Sequence, residues 1–318
     1  MKVIYGIENY QQNDSLYLAL GNFDGIHRGH KHLISTAVEK AKKNGGKSAA
    51  FIFEPHPAQV LFPEKAPKLL GNRESKTKLL EQCGLDLLIY HPFTMEIASW
   101  SPEKFVHNIL INGLHIKEVF VGFNHSFGHR GAGTPEAMKQ MGKELGFAVN
   151  VIDPVTIDGE LVSSSLVRKL LEQGDVQHAT KMLGYSPFIQ GNVIHGEHRG
   201  STIGFPTANI GIDSRYTVPA KGVYAGVVTI EGDVNRYKCV VNIGSKPTFH
   251  EIYPLSIEAH IVDYNQDIYG KTVTLTFMEK LRDEKKFASI EELLEQINND
   301  KNTAIDLLEG VQTIRTGN

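Results

Sequence analysis

The sequence predicts two domains of different class. Residues 1–184 read as an α/β domain with a parallel, Rossmann-like sheet, and residues 185–318 as an antiparallel β domain, barrel or sandwich, closed by a terminal helix. Three observations carry this. The 318 residues exceed what one compact core needs, so two domains are expected. Up to about residue 184, apolar strand-like runs alternate with helix-like ones. After "KMLGYSPFIQG", short apolar runs follow one another with Gly, Asn or Asp between them.

In the first half, the apolar residues up to Phe23 in "LALGNFDGIHRGHKHLI" (18–34) read as a buried strand. From Lys31 onward, "KHLISTAVEKAKK" has its apolar positions at helical spacing. "SAAFIFE", "LDLLIYH", "KEVFVGF" and "FAVNVID" are the further strand candidates. Ser101-Pro102-Glu103 and Thr134-Pro135-Glu136 each pair a cap residue with proline at the first helical position. Strand–helix alternation with short connections predicts a doubly wound sheet, whose ligands sit at the carboxyl ends of the strands. In the second half, "GNVIHG", "GVYAGVVTI", "YKCVVNIG", "LSIEAHIVDY" and "KTVTLTFMEKL" are closely spaced strands. The first helix after them is "SIEELLEQINNDKNTAIDLLEG".

Composition excludes several classes. A formal net charge of −3 argues against a general polyanion binder, so no nucleic-acid partner is expected. The two cysteines, Cys83 and Cys239, lie far apart, which speaks for a reducing compartment and against a Cys-rich zinc site. "MKVIYGIENYQQNDS" has no apolar stretch behind its lysine, so no signal peptide is expected, and no window approaches the ~20 apolar residues of a membrane span. A cytoplasmic protein, without a membrane partner, is the expectation.

Three phosphate-loop lookalikes fail on detail. "NGGKSAAF" has Ala41 where a P-loop needs its first glycine, and its lysine leads into a strand rather than a helix. "YGKTVTL" has Asn265 at the corresponding place, and "GHRGAGT" lacks the spacing of a dinucleotide fingerprint.

Two histidines, His27 and His30, flank Gly29 at a strand-to-helix turn. Free backbone N–H groups and the helix dipole favour an anion there. Two imidazoles over a helix start can bind a triphosphate and stabilise charge on its α-phosphoryl group, and Gly29 lets the chain approach closely. Surface histidines beside a tight turn would look the same locally. "VSSSLVRKLL" supplies a second element: Ser163, Ser164 and Ser165 at a helix start, with Arg168 one turn in. Ser164 or Ser165 would equally serve as an ordinary cap.

"GNFDGIHRGH" with "SSSLVR" resembles the HxGH and (I/V)SSTxxR pair of the nucleotidyltransferase superfamily. With "FEPHP" and "VGFNHSFGHRGAGT" it is similar to the adenylyltransferase half of the bacterial bifunctional riboflavin kinase/FMN adenylyltransferase (FAD synthetase) family. The resemblance implies that His27 and His30 bind ATP phosphates, that Asn124 belongs to the nucleotide and flavin site, and that Arg168 grips the triphosphate. Gly21, Phe23, Asp24, Gly29 and Ser164 fall within the same motifs as expected binding residues. Ser165 replaces the usual threonine, and His125 stands where many relatives carry an aromatic residue.

"GSTIGFPTANIGI" (200–212) is the most specific stretch of the second half. Alternation puts Phe205, Thr207 and Asn209 on one face, and a threonine hydroxyl with an asparagine carbonyl suits Mg²⁺ held jointly with a nucleotide phosphate. Polar residues facing water after a strand would read alike. "GFPTAN" resembles the riboflavin kinase signature, and "GVYAG", "NIGSKPTF", "IEAHIVDY", "DIYG" and "KLRDEKKF" follow in family order. The resemblance implies an antiparallel barrel, Gly204 and Arg282 as binding residues, Thr207 and Asn209 as metal and nucleotide ligands, and Glu258 as the base for the ribityl hydroxyl. Alternation with Ile257, Ala259 and Ile261 leaves Glu258 on the polar face. Ser201 stands where relatives often have a basic residue.

The family implies ATP-dependent phosphorylation of riboflavin to FMN and adenylylation of FMN to FAD. Both steps need Mg²⁺ and involve only small molecules, and the chain is expected to be a monomer or weak homo-oligomer. A superfamily transferase with another acceptor would leave "GFPTAN" unexplained. A class I aminoacyl-tRNA synthetase would need a KMSKS-type loop, and "RESKTKLL" lies too early to serve. A non-catalytic flavin sensor is disfavoured because every presumed catalytic position is filled.

Overall fold

The computed structural model describes residues 1–11, 14–196, 204–245 and 255–309. It divides into two units, Met1–Ser164 and Ser165–Asn318. The division falls earlier than the expected boundary between 184 and 185.

The first unit is built on a six-stranded parallel sheet of β1 (Lys2–Tyr5), β2 (Leu16–Leu20), β3 (Lys47–Glu54), β4 (Leu87–Pro92), β5 (Ile116–Gly122) and β6 (Ala148–Ile152), in the order β1-β4-β3-β2-β5-β6. The strand before "HRGH" ends at Leu20, short of Phe23. β1, a four-residue edge strand, lies in a segment that composition read only for the lack of a leader. Alternate residues of β2 feed two cores. Leu16, Leu18 and Leu20 pack on one face, Tyr17 and Ala19 on the other. Apolar residues on both faces mark a central strand of a doubly covered parallel sheet.

The helices are α1 (Arg28–Lys43), α2 (Pro57–Leu61), α3 (Arg73–Glu81), α4 (Met95–Ala98), α5 (Pro102–Phe105) and α6 (Pro135–Leu145), with a π-helical stretch over Val106–Gly113. α5 and α6 start as read from the sequence: the Ser101 hydroxyl accepts from the Lys104 N–H and the Thr134 hydroxyl from the Ala137 N–H. From β2 the chain moves outward to β3 and β4, then returns to place β5 on the other side of β2. That reversal makes the carboxyl ends of β2 and β5 the switch point, where doubly wound sheets bind ligands. "HRGH" follows β2, and Asn124 follows β5. A hairpin of β7 (Thr156–Ile157) and β8 (Glu160–Leu161), turning on Asp158 and Gly159 at φ 52° and 83°, leads to the serine motif.

The second unit opens with α7 (Ser164–Glu172, entering from the first unit) and α8 (Val176–Leu183). They belong with the barrel because the Ala220 N–H donates to the Leu171 carbonyl at 2.8 Å and α8 packs on a barrel strand. Six antiparallel strands close the barrel in the order β10-β13-β12-β11-β14-β9. They are β9 (Phe188–Ile194), β10 (Ala208–Gly211), β11 (Gly222–Ile230), β12 (Arg236–Ser245), β13 (Leu255–Ile261) and β14 (Thr272–Arg282). Closure leaves no free sheet edge. β11 is buried on both faces because Ala225 and Val227 pack under the terminal helix α9 (Ile290–Leu307), against Ala304 and Leu308. Ser289 caps α9, its hydroxyl accepting from the Glu292 N–H.

Candidate active sites

The first constellation stands on the turn between β2 and α1. Phe23, Gly25 and Ile26 have φ of 46°, 80° and 36°. Left-handed backbone is cheap for glycine and strained for phenylalanine and, above all, β-branched isoleucine. Such strain costs about 1–3 kcal/mol per residue. Both side chains are fully buried, and each such burial returns about 1.5–3 kcal/mol, so the core holds the turn in its strained form. Two further ties fix it. The Asp24 carboxylate, itself buried, accepts from the Leu70 N–H at 3.0 and 3.2 Å, and the Asp24 carbonyl accepts from the Ser164 hydroxyl at 2.7 Å. Ser164 is therefore the first helical residue of α7, with its hydroxyl turned to the histidine turn rather than capping its own helix. Ser165 is exposed and Arg168 half-buried, both already in the second unit.

His27 caps α1. Its Nδ1 accepts from the His30 N–H at 3.3 Å, so in the neutral ring the proton sits on Nε2, which is then a donor. The two imidazoles stack with centroids 3.6 Å apart and an interplanar angle of 16°. Phe23 meets His30 edge-on at 5.3 Å. His30 Nδ1 is buried without a hydrogen-bond partner among the described residues. Burial, the neighbouring His27 and the Lys76 ammonium hold the His30 pKa well below the usual histidine range. A Cβ on Gly29 would press on the His27 ring at 3.3 Å, so this glycine makes room for the capping imidazole. Gly21, half-buried, lies under the Phe23 ring in the same way. The first turn of α1 carries no acidic residue, which leaves its N–H groups and dipole to an anion.

At the end of β5, Asn124 is exposed. His125 lies flat on Phe127, with centroids 5.9 Å apart and 17° between planes, so its ring takes the place of an aromatic side chain. Its Nε2 is buried without a partner among the described residues, and burial lowers its pKa to about 4. His56, in "FEPHP", caps α2 by accepting from the Ala58 N–H.

The second constellation is set by strand register. Asn209 of β10 lies opposite Glu258 of β13, and Asn242 of β12 faces Glu258 from the other side. The Thr207 hydroxyl donates to Glu258 Oε2 at 3.5 Å and the Ser256 hydroxyl to Oε1 at 2.9 Å. Asn209 is buried, its amide against the backbone of Gly196, where a Cβ would not fit. Gly204 has φ 85°, which favours glycine in the turn before Pro206. The Pro206 carbonyl can only accept, so His260 Nδ1 donates to it at 2.9 Å, and its ring meets Phe205 edge-on. The chain thus brings Thr207, Asn209 and Glu258 together. Arg282 pairs with the terminal helix. The guanidinium holds Asp300 of α9 through Nε at 3.0 and 3.1 Å and Nη2 at 2.8 Å, and Gln296 donates to the same carboxylate. This pairing pins the terminal helix to β14. Ser201, with the rest of 197–203, and residues 246–254 of the "NIGSKPTF" region lie outside the described residues.

Sequence reasoning missed four groups at these sites: Lys76, Ser256, Asn242 and His260. Ser256 and His260 flank Glu258 on its own strand at two-residue spacing, and Asn242, on the neighbouring strand, becomes visible only once the register is known.

A family model described as FAD synthetase matches residues 9–166, and one described as riboflavin kinase matches residues 183–308. The chain is 42% identical to the bifunctional riboflavin kinase/FMN adenylyltransferase of Bacillus subtilis (strain 168), over 91% of each protein. It belongs to that family. The Escherichia coli (strain K12) member is 35% identical across 96% of this chain and 97% of its own. The Listeria monocytogenes member is 36% identical across 89% and 90%. A crystal structure described as a macrolide-efflux protein from Streptococcus pneumoniae superposes with a TM-score of 0.86 at 30% identity, covering 96% of this chain and 99% of that one. Among the described residues, no helix is long and apolar enough to cross a membrane. The family resemblance drawn from "HRGH" and "GFPTAN" is borne out, as is the pairing of a parallel α/β unit with an antiparallel barrel.

Proposed function

We propose that the chain converts riboflavin to FAD in two ATP-dependent steps, phosphorylation in the barrel and adenylylation in the parallel-sheet unit. One observation carries this reading: each unit holds one constellation, Thr207–Asn209–Glu258 in the second and His27–His30 in the first, in a chain whose halves match the two family models.

In the barrel, the ribityl 5′-hydroxyl oxygen attacks the γ-phosphorus of ATP. The new P–O bond forms as the bond to the bridging oxygen breaks, and ADP leaves with its electron pair. Glu258 takes the hydroxyl proton. The Ser256 and Thr207 hydroxyls fix one carboxylate oxygen each, which aims the base. Among the described residues, no three His, Cys, Asp or Glu side chains gather as a metal cage. A hydroxyl and an amide oxygen beside a carboxylate suit a hard cation that keeps phosphate and water ligands. Thr207 and Asn209 would hold Mg²⁺ in this way, and the bound ion would offset phosphate charge.

In the first unit, a phosphate oxygen of FMN attacks the α-phosphorus of ATP, and pyrophosphate leaves with the electron pair of the broken bond. The attacking oxygen is already ionised, so the chain supplies position and hydrogen-bond donors rather than a base. His27 Nε2–H and the N–H groups of α1 are those donors, with His30 beside them. Asn124 meets the nucleotide or flavin, and the flat face of His125 offers a surface for the isoalloxazine ring. Two free thiols, Cys83 and Cys239, support a reducing, cytoplasmic setting. The test is to supply riboflavin plus ATP, and separately FMN plus ATP, and resolve the products by chromatography. FMN and FAD are expected from the first mixture and FAD from the second; absence of FAD in both would remove the adenylylation site from the account.

A further inference from the structure

Lys76 of α3 is 6% exposed, although its segment "RESKTKLL" reads as a polar surface helix. Burying an ammonium is unfavourable unless charge and hydrogen bonds answer it. Here they do. Nζ donates to the Asn22 carbonyl at 3.3 Å, and the carboxylates of Asp24 and Glu54 face it. Asn22 opens the strained turn, next to Phe23. The charged and titratable groups set against His30 are His27 and this same lysine.

We propose that Lys76 is a positioning residue for adenylyl transfer: its ammonium holds the Asn22 carbonyl, and with it the turn bearing His27 and His30, while its fixed positive charge helps draw the ATP triphosphate to that turn. This rests on the assignment of adenylylation to the His27–His30 site. In the free protein two carboxylates, Asp24 and Glu54, stand against the one ammonium. An arriving triphosphate adds negative charge on the histidine side, where a buried cation is little screened by solvent.

Three substitutions in the full chain separate the two duties. Lys76→Gln keeps a donor and removes the charge, Lys76→Met removes both, and Lys76→Arg keeps both. With FMN and ATP, the Gln and Met variants are expected to lose about tenfold or more in kcat/KM for ATP, the scale of a charged hydrogen bond. Riboflavin phosphorylation should be unchanged in both. The His30 ring, followed by NMR, should titrate at higher pH in both variants, because a neighbouring positive charge is gone. Arg should restore the rate and the titration. If the Met variant does not fold, the Gln and Arg variants decide alone. A parent protein that forms no FAD from FMN would remove the assignment beneath the proposal. A parent that forms it, with Gln and Met variants within about twofold of it, would overturn the role of Lys76 only. Equal losses in all three variants with His30 unmoved would overturn it too, since packing rather than charge would then be at work.

Discussion

In the first unit the histidines stand on a turn strained at Phe23 and Ile26 and tied down from three directions, by Leu70, Ser164 and Lys76. In the barrel, Thr207, Asn209 and Glu258 owe their spacing to ordinary strand pairing and the loop leading into β10, with His260 holding that loop. The difference teaches where each site is vulnerable. A turn held against its own backbone preference depends on remote anchors, so substitutions that touch no substrate should still cost activity. A site set by register depends mostly on the groups that do the chemistry, because a closed barrel fixes the rest.

The largest effect expected is in the barrel. Glu258→Gln keeps shape and removes basicity, and loss of a general base costs roughly 10²–10⁴-fold. Riboflavin phosphorylation should fall by that order while FMN adenylylation is spared, as read by product formation from each substrate. A loss of less than severalfold would make Glu258 a surface glutamate. Next comes His30→Ala, which removes a donor beside the transferring phosphoryl group. FAD formation from FMN should drop by about 10²–10³-fold and riboflavin phosphorylation should hold.

A matched pair of anchor substitutions sharpens the contrast. Ser164→Ala deletes the 2.7 Å tie to the Asp24 carbonyl, and one such bond is worth about 0.5–1.5 kcal/mol, or roughly two- to tenfold in rate. His260→Phe deletes the barrel's tie to Pro206 while keeping the ring against Phe205. Steady-state rates should show Ser164→Ala slowing adenylylation more than His260→Phe slows phosphorylation. The reverse order would break the distinction between strained and register-set sites.

The smallest effect concerns pH. Burial holds His125 at a pKa of about 4 against the ordinary 6.5. The unfolded chain therefore binds more protons between those values. The stability from keeping the ring neutral is full above about 6.5 and is lost as pH falls toward 4. His125→Phe should flatten the fall in thermal midpoint across that window. An unchanged slope would mean the ring is not buried in solution.

Much of this was legible in the sequence, for reasons that also explain the gaps. "HRGH" was readable because a strand end and a helix start are local patterns, and Glu258 because Ile257, Ala259 and Ile261 alternate around it. Lys76 was not readable. Its neighbours Arg73, Glu74 and Lys78 are those of a solvated helix, and only packing of α3 beneath the turn buries it. Arg282 looked like part of a binding motif, and its partner Asp300 lies on a helix whose docking no local pattern reveals. The second unit opens at Ser165, ahead of the expected boundary, because α7 and α8 continue the strand–helix rhythm of the first half while packing on the barrel; the riboflavin kinase family match itself begins at residue 183.

The central claim, that each unit holds a complete and separate site, is tested most directly by mixing two damaged proteins. Glu258→Gln lacks the first step and His30→Ala lacks the second. Given riboflavin and ATP, neither alone should yield appreciable FAD. Together they should, with FMN released by the His30→Ala protein and consumed by the Glu258→Gln protein. Failure of the mixture to make FAD, while each variant keeps its own remaining activity on supplied substrate, would contradict the account.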